Sequence, residues 1–262
     1  MSRVFDFNSA IVRTPGKSVV NGLRAAAGPA PVFERVLAEH QAYVAALRAA
    51  GVEVTVLDAL EQFPDSIFVE DPALVFSQAT ILLRPGAPSR RAEVHELSAT
   101  LAARFPEVLP LREGFADGGD ILVTLGCVLI GLSARTDVAG AADLRALLDS
   151  IGLVSQVVAI PRGTLHLKTD CSLIDEETVL ATEQLAKSGV LDGFRVLVVA
   201  EEERGATNAL RVNDVVFIRA GCPRTYDMLV THGLNVVQLP VSEIAKIDAG
   251  LSCMSLRWLE RR

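Results

Sequence analysis

The sequence predicts an α/β protein in which one supersecondary unit recurs five times, and three observations lead to this prediction. From residue 70 onward, pairs of short strands joined by tight turns are each followed by a helix and another strand. Two hairpins end in similar segments, GLSART at 131–136 and AGCPRT at 220–225, which run directly into a helix. Polar residues also recur at equivalent places. Self-similarity at roughly 40–50 residues is typical of a radial or solenoid array. The alternative is an ordinary α/β sandwich with accidental spacing.

The first unit contains an insertion. A strand at Ser9–Arg13 is followed by a loop rich in Gly, Pro and Ala at 14–31, a helix at 32–50 and a strand at Glu53–Leu57. Because no linker divides the chain, we expect a single catalytic domain over residues 1–262. Its repeats cover approximately 1–60, 61–112, 113–160, 161–200 and 201–262.

The remaining units follow one plan, because short polar turns separate β-branched runs and a helical spacing of apolar residues comes next. The predicted hairpins pair 73–76 with 79–83, 121–124 with 127–132, 167–174 with 178–181, and 209–212 with 215–218. Helices are predicted at 90–104, 138–151 and 183–188, and one from Pro223, which suits a first helical turn, to Gly233. Closing strands are predicted at 154–160, 194–199 and 234–238, and a final strand at 253–258 should pair with the first unit.

Four polar residues stand at nearly equivalent places in these units, just before or at the start of a strand-turn-strand run. They are Asp71, Asp117, His166 and Cys253, at successive steps of 46, 49 and 87 residues. Asn208 fills the long step, 42 residues after His166 and 45 before Cys253. We therefore expect these side chains to converge on one axis. Two carboxylates, an imidazole and a thiol are the parts of a covalent catalyst for a cationic substrate.

Composition limits the class of protein and its partners. Half of the 262 residues are hydrophobic and 22% are charged, as in a globular protein with a sizeable core. A net charge of −7 without a Lys/Arg cluster argues against nucleic acid and mildly favours a cationic ligand. The N-terminus lacks the apolar core of a signal peptide, and no apolar stretch approaches the ~20 residues that span a bilayer. We expect a cytoplasmic protein that does not engage membranes.

The four cysteines have no CxxC or Cys/His ligand spacing, so we expect reduced thiols and no structural metal. Cys127 and Cys171 are interpreted as packing residues inside strands, the commoner role of a lone cysteine. Cys222 is ambiguous, because a helix N-terminus lowers the pKa of a thiol. Cys253 follows small residues and a hydroxyl, which leave its sulfur approachable, although packing is the commoner role there too.

Only His166 among the four histidines begins a predicted strand, whereas His40, His95 and His232 are interpreted as surface or cap residues. A single histidine could equally be a satisfied core residue, and the register of His166 with the other polar positions is what distinguishes it. A histidine near a cysteine supplies a general acid/base for thiolate chemistry.

Carboxylates concentrate in two segments. The first, FPDSIFVEDP at 63–72, alternates three acids with phenylalanines, and Phe68 between the acids argues against a plain solvated loop. The second, FADGGD at 115–120, carries Asp117 and Asp120 around paired glycines that let the backbone approach a ligand closely. Carboxylates in a partly apolar pocket suit a planar guanidinium, which takes bidentate hydrogen bonds.

These segments resemble the dimethylarginine dimethylaminohydrolase family, within the guanidine-modifying superfamily that includes arginine deiminase. The similarity covers essentially the whole chain and is specific at 13–15, 63–72, 84–91, 117–120, 133–136, 165–168 and 248–255. The resemblance implies a five-bladed α/β propeller of ββαβ units with pseudo-fivefold symmetry, in agreement with the repeat count.

The resemblance also implies the roles of individual residues. Cys253 is implied as the nucleophile, His166 as the general acid/base and Asp117 as the third catalytic residue, with Asp71 and Asp117 holding the guanidinium. Some relatives carry Glu where this chain has Asp117, and the shorter side chain changes the depth of the pocket.

The implied substrate-binding residues fall into an amino-acid end and a pocket wall. Arg90 and Arg135 are implied to bind the α-carboxylate. Contacts to the amino-acid end come from Leu23 and the backbone of Ile247. The full set is Leu23, Asp65, Phe68, Glu70, Asp71, Arg90, Arg135 and Ile247, with Phe68 lining the pocket and Asp65 and Glu70 in its polar wall.

The function implied is hydrolysis of Nω-methylated arginine to citrulline and a methylamine through a covalent thiouronium, without metal or organic cofactor. The expected partner is a small-molecule substrate, and the protein is expected to be a monomer or a homodimer. The alternatives are an arginine deiminase-type hydrolase, which usually carries an extra helical domain, an amidinotransferase, and a non-catalytic arginine-binding module in which Cys253 is inert. A translation-factor relative of the same fold lacks the thiol.

Overall fold

Five three-stranded sheets make up the fold in the computed structural model, which describes residues 3–25 and 27–260. The strands are, in chain order, β1 Ser9–Arg13, β2 Glu53–Leu57, β3 Ala73–Val75, β4 Thr80–Leu82, β5 Val108–Pro110, β6 Ile121–Val123, β7 Val128–Leu132, β8 Ser155–Ala159, β9 Cys171–Leu173, β10 Thr178–Ala181, β11 Arg195–Val198, β12 Leu210–Val212, β13 Val215–Arg219, β14 Asn235–Leu239 and β15 Leu256–Trp258. The helices are α1 Phe33–Ala49, α2 Glu93–Ala102, α3 Val138–Ser150, α4 Glu183–Ala186 and α5 Pro223–Thr231.

Every sheet has the same topology, in the orders β15-β1-β2, β3-β4-β5, β6-β7-β8, β9-β10-β11 and β12-β13-β14. The central strand pairs antiparallel with one neighbour and parallel with the other. A parallel partner needs a crossover connection, and a helix lies in each one. The predicted ββαβ unit is therefore confirmed in all five sheets.

The first sheet is completed by the C-terminal strand. Ser9 lies opposite Trp258 and Ile11 opposite Leu256 in an antiparallel pairing. The hairpin that the other units form locally is thus shared between the two ends of the chain. This confirms that the last strand returns to the first unit.

Burial falls from the central strand to the third strand of a unit. All five residues of β1 are buried, whereas its parallel partner β2 alternates between exposed and half-buried residues. Helix α1 covers one core cluster, in which Val36, Tyr43 and Leu47 are at most 1% exposed and pack with Val12 and Phe217. The helices thus form an outer layer and leave the strand ends to carry the polar residues.

Local chemistry sets several helix ends. The Asp137 carboxylate accepts from the Gly140 amide at 2.7 Å and caps α3, an N-cap worth roughly 1 kcal/mol. Pro223 opens α5 as predicted, because a first-turn residue needs no amide hydrogen. The helix stops before Gly233, whose φ of 83° is the left-handed conformation that glycine adopts without strain.

Three predicted elements need correction. The strand predicted at 167–174 is a 3₁₀ turn, Leu167–Thr169, followed by β9, so His166 precedes a turn instead of beginning a strand. The strand predicted at 253–258 likewise opens with a 3₁₀ turn, Ser252–Met254, before β15. The helix predicted at 90–104 is a 3₁₀ turn, Pro88–Arg90, and then α2. Polar side chains from other segments accept from the first amide of two of these turns, at Leu167 and Ser252.

Two side-chain environments also differ from expectation. His40 is 3% exposed, so it is a core residue and not a surface or cap residue. Cys127 is half-buried and lies just before β7, not inside it, whereas Cys171 is fully buried in β9 as expected. Within residues 3–25 and 27–260, no helix combines the length and apolar character needed to cross a membrane.

Candidate active site

The side chains of three successive units meet at one place. Asp71, Asp117 and His166 are all buried, and each contributes an oxygen or nitrogen atom within 4.8 Å of the others. The turn that carries Cys253 joins them, because its carbonyl accepts from the Glu70 amide at 3.2 Å. The unit of β12, β13 and β14 reaches the same place through Asn208, whose amide nitrogen lies 3.8 Å from the Cys253 sulfur. All five positions of the sequence register therefore come together.

His166 and Asp117 form a buried pair. Nε2 of His166 lies 3.0 Å from Oδ2 of Asp117, which is fully buried. The second carboxylate oxygen accepts from the Gly86 amide at 2.7 Å, and the Asp117 amide donates to Thr136 Oγ1 at 3.1 Å. These contacts fix the carboxylate, so the imidazole it contacts has one preferred orientation.

The charge state of His166 is set by competing effects. Burial lowers the pKa of His166, but the hydrogen bond to Asp117 and the charges of Asp71, Asp120 and Asp117 outweigh it and raise the pKa to about 9. The imidazole is therefore protonated at neutral pH. In that form it can donate a proton to a leaving group, which is the first task of a general acid.

Asp120 fixes the backbone on which His166 stands. Its Oδ1 accepts from the Leu167 amide at 2.9 Å, and its Oδ2 accepts from the hydroxyls of Ser133 at 2.6 Å and Thr136 at 2.7 Å. Capture of the Leu167 amide favours the 3₁₀ turn over the predicted strand. Sequence reasoning noted Asp120 without assigning it this role, and its place in the Gly-Gly-Asp turn was the available signal.

Asp71 is held by cationic and backbone donors. Arg90 pairs with its Oδ2, and the Gly119 amide donates to Oδ1 at 3.1 Å. Burial alone would raise the pKa of Asp71. The charges of Arg90 and His166 and these hydrogen bonds lower the pKa by a larger amount, so the net shift is downward. The carboxylate is ionised and presents negative charge beside the imidazolium.

Arg90, which the resemblance implies as a ligand of the α-carboxylate, is almost fully enclosed by protein groups. It is 4% exposed and also pairs with Glu93 at 2.7 Å, while its Nη2 donates to the Phe68 carbonyl at 2.9 Å. Arg135, by contrast, keeps 21% of its side chain exposed and lies 3.9 Å from Asp117. The structure thus gives the two arginines different settings, and Glu93 is a partner that sequence reasoning missed.

Cys253 lies half-buried in the 3₁₀ turn Ser252–Met254. Burial and the negative charges of Glu70 and Asp71 raise the pKa of its thiol to about 12, against the smaller effects of the Gly250 amide and Lys168. The sulfur is therefore a neutral thiol until positive charge arrives. A cation placed between the sulfur and the carboxylates would reverse this balance.

Glu70, predicted for the polar wall of the pocket, is buried and held by several donors. It pairs with Lys168 at 2.6 Å and Arg257 at 3.4 Å and accepts from the Ser252 hydroxyl at 3.2 Å. These four residues also line a cavity of about 420 Å³, together with residues 3–7. Asp71, His166 and Cys253 do not line that cavity. Glu70 and Lys168 therefore border that cavity, and their charges also act on the Cys253 thiol.

The inserted loop reaches the site at Leu23. The Leu23 amide donates to Asp65 at 2.9 Å, and Gly22 beside it lies against both Asp65 and Ile247. Asp65 is 5% exposed, and burial raises its pKa. Phe68 is 3% exposed and belongs to the same core cluster as Ile247. The structure therefore brings these four predicted residues together at one end of the site.

The cluster of Asp71, Asp117 and His166 has the dimensions of a metal site. A histidine must be neutral to bind a metal, however, and His166 is held protonated by its neighbours. Arg90 already neutralises Asp71. A metal ion would therefore have to displace the proton of His166 and compete with Arg90 for Asp71.

Several known proteins are similar to this chain in sequence. Residues 29–188 match the family described as "N,N dimethylarginine dimethylhydrolase, eukaryotic". The chain is 38% identical to a dimethylarginine dimethylaminohydrolase of Pseudomonas aeruginosa over 96% of this chain and 100% of that protein. It is 32% identical to one of Streptomyces coelicolor over 96% and 97%. An arginine deiminase of Mycobacterium avium matches at 26% over 75% of this chain and 60% of that protein.

Several solved structures share the fold of this chain. A cysteine-to-serine mutant of the Pseudomonas aeruginosa enzyme, complexed with citrulline, superposes with a TM-score of 0.93 at 37% identity, covering 97% of this chain and 100% of that one. A histidine-to-glycine mutant of dimethylarginine dimethylaminohydrolase, as an adduct with S-methyl-L-thiocitrulline, gives 0.93 at 38% identity, covering 96% and 99%. The N-terminal domain of the arginine dihydrolase ArgZ shares the fold, with a TM-score of 0.85 at 18% identity over 98% and 100%. The five-bladed α/β propeller is confirmed.

Proposed function

The chain belongs to the N,N-dimethylarginine dimethylhydrolase family, and from that premise we propose that it hydrolyses Nω-methylated arginine to citrulline and a methylamine. The substrates proposed are asymmetric dimethylarginine and monomethylarginine. The observation that carries the proposal is the grouping of a protonated His166 and two buried carboxylates beside the Cys253 thiol. These groups match the shape and charge of a guanidinium and provide a nucleophile and an acid for its carbon–nitrogen bond.

The first half of the reaction forms a bond to sulfur. The substrate cation binds between Asp71 and Asp117 and favours ionisation of Cys253, whose proton passes to water. The thiolate attacks the central guanidinium carbon. His166 donates its proton to the methylated nitrogen, the carbon–nitrogen bond breaks, and the amine departs. The product of this half is a thiouronium on Cys253.

The second half restores the enzyme. Water attacks the thiouronium carbon while the now neutral His166 accepts a proton from it. The carbon–sulfur bond breaks and Cys253 leaves as a thiolate, while the remaining hydroxyl proton passes to water and neutral citrulline is released. The thiolate takes up a proton from water when the cationic substrate is gone, which restores the resting thiol. General acid/base assistance of this kind typically contributes roughly 10²–10⁴ in rate, so loss of the imidazole should be severe but not total.

The amino-acid end of the substrate is proposed to lie toward the inserted loop. The positive charges of Arg135 and Arg90 attract the α-carboxylate, and Arg135 has the more accessible guanidinium. Asp65 lies beside Leu23 and Ile247 and suits the α-amino group. We also propose that residues 1–262 form a single catalytic domain, because the C-terminal strand completes the first sheet.

A substrate panel tests the proposal. Arginine, monomethylarginine, and asymmetric and symmetric dimethylarginine are each assayed for citrulline with the wild-type protein, Cys253→Ser and the matched control Cys127→Ser. We expect citrulline from the asymmetric substrates, none with Cys253→Ser and an unchanged rate with Cys127→Ser. Citrulline formed mainly from free arginine would instead support the deiminase alternative. Near wild-type rates with Cys253→Ser would contradict the covalent step.

A further inference from the structure

We propose that Asn208 is a catalytic residue whose side-chain amide donates to the Cys253 sulfur, holding it for attack and stabilising it when it is negatively charged. The proposal rests on the function proposed above and deepens it. It assigns a role to the sheet β12-β13-β14, which brings the amide of Asn208 to the place where the other four sheets bring a titratable group.

The orientation of the Asn208 amide follows from its two contacts. Oδ1 accepts from the Ser252 amide at 3.0 Å, and Nδ2 lies 3.8 Å from the Cys253 sulfur. A backbone amide can only donate, so the atom that faces it is the oxygen. The NH₂ group is thereby directed at sulfur. One side chain thus contacts both the reacting atom and the backbone beside it.

The surrounding residues hold Asn208 at this place. It ends the 3₁₀ segment Glu201–Thr207, and the Thr207 hydroxyl lies within hydrogen-bond distance of the Thr169 carbonyl at 2.8 Å. On the other side, a Cβ added at Gly250 would lie 2.5 Å from Cγ of Asn208. The turn before Cys253 therefore needs glycine at 250 for the amide to reach the sulfur.

The chemistry of the site explains why a neutral donor is useful here. Glu70 and Asp71 both disfavour negative charge on Cys253. A hydrogen bond to a charged acceptor is roughly twice as strong as one between neutral groups. The Asn208 amide therefore stabilises the thiolate more than the thiol. The same preference operates when Cys253 leaves as a thiolate at the end of the reaction.

Asn208→Asp is the sharpest test, because aspartate keeps an acceptor for the Ser252 amide but replaces the donor with negative charge. Asn208→Ala removes both contacts, and Asn235→Asp, on an exposed position of β14, is the matched charge control. The rate of alkylation of Cys253 by iodoacetamide is measured against pH, together with kcat and KM for asymmetric dimethylarginine and the Tm.

We expect the rate constant of alkylation, compared at one pH below the pKa of the thiol, to fall in both Asn208 variants, further in Asn208→Asp, and to be unchanged in Asn235→Asp. We expect kcat to fall by roughly tenfold to a hundredfold, the loss expected for one hydrogen bond to a charged group, with a smaller change in KM. An unchanged rate constant of alkylation overturns the proposal, even if activity falls together with Tm, because a purely structural residue gives that result. The alkylation measurement needs no turnover, so it remains decisive if the substrate proposed above is wrong.

Discussion

Replacement of Asp117 by asparagine tests how the charge of His166 is maintained. The pKa of His166 is about 9 because its hydrogen bond to Asp117 and three nearby carboxylates outweigh burial. Asparagine keeps the shape but removes the charge and the acceptor on which the imidazolium depends. Burial and the two remaining charges then oppose one another, and we take the ordinary value of roughly 6.5 for the variant.

The magnitude follows from the protonated fraction. At pH 8 the imidazolium fraction is about 90% with a pKa of about 9 and about 3% with a pKa of roughly 6.5. The general-acid step should therefore slow roughly thirtyfold at pH 8. At pH 6 most of the variant is still protonated, so the part of the loss due to protonation should nearly disappear.

The assay is single-turnover release of dimethylamine between pH 6 and pH 9.5, which reports the acid step without the later hydrolysis. Asp149→Asn, an exposed position on α3, is the control and should behave as the wild type. A loss in Asp117→Asn that is the same at every pH would refute the reasoning. It would show that Asp117 acts on substrate binding alone and does not hold the proton on His166.

Three further predictions address packing, stability and substrate binding. Gly119→Ala places a Cβ 2.7 Å from the imidazole, so kcat should fall roughly a hundredfold as the ring is displaced, whereas Gly126→Ala, with open space around it, should have no effect on kcat. Burial lowers the pKa of His40 to about 4, so the folded state resists protonation. The free energy of unfolding should therefore fall by up to about 3 kcal/mol as the pH falls from roughly 6.5 to about 4. His40→Phe should reduce this loss, which is measured by urea unfolding at each pH. Arg135→Ala should raise KM roughly tenfold to a hundredfold with kcat little changed, whereas Arg90→Ala should lower Tm as well, because Asp71 and Glu93 lose their partner.

The sequence predicts most of this fold because its signals are local. Strands Ser9–Arg13, Glu53–Leu57 and Thr178–Ala181 agree to the residue, since β-branched runs there are bounded by turn residues. The turn Leu167–Thr169 could not be predicted in this way. Its residues suit a strand equally well, and a carboxylate from another unit, Asp120, captures its first amide.

The site, too, could be predicted from the sequence only in part. The register of the polar residues indicated which side chains converge, because equivalent places in equivalent units lie near a common axis. It did not indicate which cation each carboxylate contacts, since those pairs join residues from different segments. The burial of His40 was missed for a related reason, because the spacing of apolar residues along the helix does not show which other elements cover it. Among the described residues, its buried Nε2 has no hydrogen-bond partner.

The balance of charge in the site explains why a cationic substrate is needed. Each buried carboxylate near the sulfur has a cation of its own, and the pairs are Asp71 with Arg90, Asp117 with His166, and Glu70 with Lys168. The sulfur of Cys253, by contrast, contacts the neutral amides of Asn208 and Gly250, and the charge of Lys168 offsets its negative surroundings only in part. A thiolate there would be an uncompensated charge in a partly buried place, which is costly. A guanidinium that enters beside it supplies the missing positive charge, so the nucleophile becomes reactive when its substrate is bound.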